Sequence, residues 1–173
     1  MEFQIDKSVE ILSKTPKVLR VLLEDLSDEW IEKEFDSDEW SPFDVVGHLI
    51  HGEKTDWIPR AEIILRQEGN AEFEPFDRFA QFENSKGKTL AQLLDEFEDL
   101  RNKNLAKLEN FNLSDKQLQL KGLHPELGEV NLSQLISTWT VHDLTHIRQI
   151  TIQLAKKYSE NVGVWKNYLS ILQ

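Results

Sequence analysis

The stretch from Leu132 to Leu154 limits the possible folds more than any other part of the chain, because it is apolar on more than one side at helical spacing. Leu135, Trp139, His142, His146 and Ile150 form one strip, and Ile136, Leu144, Ile147 and Leu154 form another. A helix of this kind belongs at the centre of a bundle or in a subunit interface. It starts near Asn131 and carries a pair of histidines at metal-ligand spacing, His142 and His146. Residues four apart lie one above the other on a helix face, so two imidazoles at this spacing can converge on one ion. The same spacing suits two hydrogen-bonded core histidines, and the pair alone does not decide between them.

The third candidate ligand is His48, about two turns into a helix with a clear start: Ser41 as cap, Pro42 at the first position and Asp44 three residues on. That helix is expected to run toward Glu68 and stop at Gly69-Asn70, kinked or divided by Pro59. His51 falls on a different side and reads as solvent-facing or at the bundle edge. Earlier in the chain, residues 6 to 26 read as a helix in two pieces around Thr15-Pro16. Val18, Leu19, Leu22, Leu23 and Leu26 form its buried stripe. The acidic connection that follows carries Trp30, Phe35 and Trp40, read as a plug over one end of the core.

Residues 70 to 88 read as a long irregular crossover with Phe73, Phe76, Phe79 and Phe82. A helix capped by Thr89 follows, its apolar face made by Leu90, Leu93, Leu94, Phe97, Leu100 and Leu108. The segment from Asn110 to Asn131 again reads as irregular, and His124 within it as either a gating group or a surface residue. A short helix from Val164 to Leu172 closes the chain, and no strand or repeat is evident. The expectation is a single all-α domain over residues 1–173. It is a four-helix bundle with a long crossover between the second and third helices and a short C-terminal helix.

Composition narrows the chemistry. With 173 residues and 39% hydrophobic content there is material for one sizeable core. The net charge of -11 repels phosphate backbones and anionic lipid, so no nucleic-acid or membrane partner is expected. Without cysteine there are no disulfides, thiolate nucleophiles or sulfur ligands, and a metal would have to take nitrogen or oxygen donors. The acidic opening Met-Glu-Phe-Gln-Ile-Asp and the lack of a long apolar run lead us to expect a cytoplasmic protein. No HExxH motif is present, which argues against a zinc protease. Asp143, next to His142, points about 100° away along the helix and reads as a partner behind a ligand.

Four motifs in register, Trp40-Ser-Pro-Phe-Asp-Val-Val-Gly-His-Leu49, Gly122-Leu-His-Pro-Glu-Leu-Gly128, His142-Asp-Leu-Thr-His146 and Gly163-Val-Trp-Lys-Asn-Tyr168, resemble those of the DinB-like (DinB/YfiT) superfamily. The resemblance covers nearly the whole chain. It implies a four-helix bundle whose metal is held by His48, His142 and His146, all intact here. It also implies a range of activities: metal-dependent transferases that add a small thiol to an electrophile, a thiol-using isomerase, and members without assigned activity. Three imidazoles leave a divalent ion a free position, as catalytic rather than structural sites do. Zinc or nickel would suit them, and iron is a further option. Two readings therefore follow. One is a thiol-dependent S-transferase, or hydrolase-like enzyme, using a low-molecular-weight thiol cofactor, with residues 73 to 82 helping to wall an apolar pocket. The other is a non-catalytic metal-bound or stress-induced binding protein whose histidines staple helices. A homodimer is expected from the broadly apolar last long helix and from the family's habit.

Overall fold

The structure is a computed structural model that describes residues 2–32 and 39–173. Its elements in chain order are α1 (Ile5–Leu12), α2 (Thr15–Leu23), α3 (Asp28–Ile31), α4 (Pro42–Thr55), α5 (Trp57–Arg66), α6 (Ala80–Asn84), α7 (Leu90–Asn110), α8 (Asp115–Leu118), β1 (Lys121–His124), β2 (Gly128–Asn131) and α9 (Leu132–Lys156). Two 3-10 turns, Gly163–Tyr168 and Ser170–Leu172, end the chain. The bundle has four columns: α1 with α2, α4 with α5, α7, and α9. Within it α1 packs on α9, α2 on α7, and α4 on both α7 and α9.

Local chemistry accounts for the boundaries. Ser41 accepts a hydrogen bond from Asp44 N–H while Asp44 accepts one from Ser41 N–H, and this reciprocal cap starts α4. Thr89 with Gln92 and Asn131 with Gln134 start α7 and α9 in the same way. The second column divides at Asp56 because Pro59 has no N–H to offer the Thr55 carbonyl and its ring crowds that carbonyl. Asp56 N–H still bonds Gly52 O, and Arg60 N–H bonds Asp56 O, so backbone bonding resumes on both sides of the break. The column stops at Arg66, earlier than the expected Gly69-Asn70. Gln67 takes a left-handed conformation there, and its amide donates to the carbonyls of Ile64 and Lys121.

Several expectations need correction. The segment before Asn131 is not irregular: it holds α8 and an antiparallel hairpin pairing Gly122 with Val130 and His124 with Gly128. The hairpin docks on the long connection between α5 and α7 through Phe73 N–H to Leu123 O and Leu123 N–H to Ala71 O, each 2.9 Å. Only glycine fits at position 122, because a Cβ there would lie 2.6 Å from the Phe73 ring. Strands of four residues show too little alternation to stand out in the sequence. The connection also contains α6, packed so closely on α4 that a Cβ at Gly47 would come 2.4 Å from Ser85 Oγ.

Val18, expected in the buried stripe, is exposed, whereas Leu19 and Leu23 are buried. The chain end makes 3-10 turns rather than an α-helix, and Trp165 and Tyr168 face solvent. Of the expected plug, Trp30 packs on Tyr158, Trp40 packs against His48, and Phe35 lies outside the described residues.

The buried interior forms two clusters. One joins Leu12, Trp57, Ile64, Phe73, Leu108 and Trp139, and the other joins Leu19, Leu23, Val45, Leu49, Phe97 and Ile150. No helix among the described residues is long and apolar enough to cross a membrane.

Candidate metal centre

His48 from α4 and His142 and His146 from α9 meet at one point. One nitrogen of each ring lies within 4.8 Å of those of the other two. His142 Nε2 is 3.3 Å from His48 Nε2 and 3.0 Å from His146 Nε2. A neutral imidazole nitrogen carries either one proton or one lone pair, so hydrogen bonding alone leaves this three-way contact incompletely satisfied. A cation accepting three lone pairs would satisfy it.

The ring electronics agree. Burial pushes His48 down to about 3 and His142 to about 2, with the charge of His146 adding to both shifts, so both rings are neutral at physiological pH. His146 is shifted down as well, chiefly by burial. Its Nδ1 lies 2.8 Å from Gln149 Oε1, which can only accept, so the His146 proton sits on Nδ1 and Nε2 presents its lone pair inward. The Nδ1 atoms of His48 and His142 are buried without a hydrogen-bond partner among the described residues.

The centre opens onto a cleft of about 1220 Å³. Its walls pack against the histidine rings. The Trp40 ring is 4.9 Å from the His48 ring, Phe76 is edge-on to His48 at 5.4 Å, and Trp57 is edge-on to His142 at 5.0 Å. Phe73, Phe76 and Phe79 all line the cleft, as expected of the phenylalanine-rich stretch, while Phe82 instead packs on Trp40.

The remaining candidates fall in distinct places. His51 is buried rather than solvent-facing, because the connection between α5 and α7 folds over it and sets Phe76 4.8 Å from its ring. His124 sits at the cleft wall. Its Nδ1 accepts from the N–H groups of Glu126 and Leu127, which closes the hairpin turn and leaves the proton on Nε2.

Asp143 does not reach the centre. It is fully buried and belongs to a charged cluster that the sequence did not reveal, built around Arg101 of α7. Arg101 spends all five N–H donors: two on Asp143 Oδ1 and Oδ2, two on Glu53 Oε1 and one on Leu12 O. Asn104 Nδ2 and Trp139 Nε1 also donate to Glu53, at 2.9 and 3.0 Å. The guanidinium lies 4.9 Å from the Phe97 centroid and 5.1 Å from the Trp139 centroid, one ring from each apolar cluster. Burial opposes its charge, but Glu53 and Asp143 outweigh that and raise its pKa. One hint was available in the sequence: Phe97, Arg101, Asn104 and Leu108 recur at the spacing of a buried face.

Residues 11–150 match the family model of the DinB superfamily. The chain belongs to the DinB superfamily. Among solved structures it is similar to YfiT from Bacillus subtilis, described as a probable metal-dependent hydrolase with an unusual four-helix bundle topology. That match has a TM-score of 0.74 at 22% identity and covers 89% of this chain and 87% of that one. No curated protein matches in sequence. At that identity the YfiT likeness establishes the fold, while the histidine centre rests on the geometry described above.

Proposed function

We propose that this DinB-superfamily chain is a metal-dependent enzyme that transfers a low-molecular-weight thiol to an electrophile, with His48, His142 and His146 holding a divalent ion such as zinc or nickel. The observation that carries the reading is the triad itself: three neutral imidazoles converge at the wall of a large cleft, with no fourth protein ligand among the described residues. Three-ligand centres of this kind leave a position for substrate. An ion bound there would lower the pKa of an incoming thiol or water and so provide a nucleophile near neutral pH. The protein's own groups would do the rest. Gln149 holds the His146 tautomer, Trp40, Trp57 and Phe76 fix the rings and keep water from their flanks, and the cleft orients the electrophile.

The chain has no cysteine, so the sulfur must come from outside. A hydrolytic reading uses the same open position with water in place of thiol, and the description of YfiT supports keeping it second. The staple reading is weaker, because Arg101 already ties α1, α4, α7 and α9 together without help from the histidines. The test is conjugation of glutathione or another biological thiol to a model electrophile by metal-loaded protein, before and after chelation, in wild type, His142→Ala and His146→Ala. The reading predicts activity in the loaded wild type alone. A loaded wild type inert with every biological thiol removes it.

A further inference from the structure

Although the chain carries a net charge of -11, the cleft beside the histidines is locally cationic. Its walls include Glu39, Asp56 and Glu126 against Arg60, Arg78, Arg148 and Lys156. Lys156 Nζ lies 2.6 Å from Glu39, and Arg60 Nε lies 2.5 Å from Asp56, so those four charges pair off. Glu126 sits in the hairpin turn that His124 closes and is the one lining carboxylate left against two arginines. The carboxylates packed beneath the centre, Glu53 and Asp143, are consumed by Arg101. Arg78 and Arg148 remain, both exposed and neither with a side-chain partner among the described residues. Neutral imidazoles bring no negative charge either, so a divalent ion held by them would add to the positive potential rather than cancel it.

The two arginines reach the cleft from different elements. Arg148 lies two residues beyond His146 on α9, and Arg78 lies in the connection just ahead of α6. Both arginines line the same cleft as His48, His142 and His146. A planar guanidinium is the side chain best matched to a carboxylate, and two of them in a cleft walled by Trp40, Phe76 and Phe79 favour an anionic head on a short carbon skeleton.

We propose that the cleft selects small molecules carrying a carboxylate a few atoms from the group that meets the ion, and that Arg78 and Arg148 bind that carboxylate. This rests on the thiol reading of the centre given above, and the experiment separates the two. Cobalt-loaded protein is titrated with 3-mercaptopropionate and with 3-mercaptopropanol, a neutral thiol of equal length, following the sulfur-to-cobalt absorption. Wild type, Arg78→Gln, Arg148→Gln and the double variant are compared at low and high salt, with circular dichroism to check the fold. The acid should bind about tenfold more tightly than the alcohol, the factor expected of one charge-assisted hydrogen bond. That preference should fall toward unity in the double variant and shrink with salt. Equal binding of the two thiols overturns the proposal but leaves the thiol reading standing. A preference that survives in the double variant assigns it to chelation of the ion by the carboxylate, and also overturns the role of the arginines. If neither thiol binds, both the proposal and the thiol reading fall.

Discussion

Arg101 and the three histidines lie in the same bundle and share α4 and α9, yet they treat buried polarity in opposite ways. Around Arg101 every guanidinium N–H has an acceptor, and its ion-pair partners Glu53 and Asp143 are fully shielded from solvent. Around His142 three ring nitrogens crowd together, two further nitrogens are orphaned, and the group opens onto a cleft. A closed, fully satisfied cluster has no capacity left for a ligand, so its effect is on which helices meet. An unsatisfied, converging set of nitrogens keeps its capacity for a ligand. Adjacent residues on α9 divide the two tasks: His142 serves the open group and Asp143 the closed one.

The sharpest way to break this contrast is to cut each cluster and compare the losses. Arg101→Met strands two buried carboxylates and should cost about 3–5 kcal/mol, the usual penalty for removing one partner of a buried pair. In a chain of this size that corresponds to a melting point lower by roughly 10 °C. His142→Ala in metal-free protein should cost far less. Thermal denaturation of both, stripped of metal, checks the ordering, and similar losses would mean that the histidines are also structural.

A smaller effect should appear with pH. Folding lowers the pKa of His48 to about 3 and of His142 to about 2, from 6.5. Below pH 6.5 the unfolded chain therefore takes up protons that the folded rings refuse, and stability falls as pH drops from 6.5 toward 3. At pH 5 each ring should cost about 2 kcal/mol in the metal-free protein. Denaturant melts at pH 7 and pH 5 measure it, and His142→Ala should flatten the slope. No change in slope would mean that these rings are not held neutral.

The smallest effect on the fold concerns assembly. We keep the homodimer as a proposal, since Val141 and Leu144 stand 61% and 48% exposed on the outer face of α9. Leu144→Glu should shift light scattering from dimer to monomer while changing monomer stability by less than about 0.5 kcal/mol. A wild type already monomeric at 20.2 kDa refutes the dimer.

The open cluster was legible in the sequence and the closed one was not, for a physical reason. Metal-ligand spacing is local, so His142 and His146 announce themselves within one helix. His48 follows once the Ser41 cap places it on an inward face. The Arg101 cluster draws on Leu12, Glu53, Arg101, Asn104, Trp139 and Asp143, spread across nearly the whole chain, and a charged residue on a helix reads as solvated until its partners are known. The burial of His51 is not legible in the sequence, because what covers it is Phe76, from a connection whose path no periodicity encodes. The helix caps and the break ahead of Pro59 were readable because each depends on residues within one turn.

The most direct test of the account is to count ions and helices together. Chelated protein is reloaded with zinc, freed of excess and analysed for bound metal, with circular dichroism recorded on the same samples, for wild type and for His48→Ala, His142→Ala and His146→Ala. We predict one tightly held ion per wild-type chain, none in any variant, and the same helical signal throughout. A wild type that retains no metal, variants that retain as much as wild type, or stripped protein that unfolds at room temperature would each contradict it.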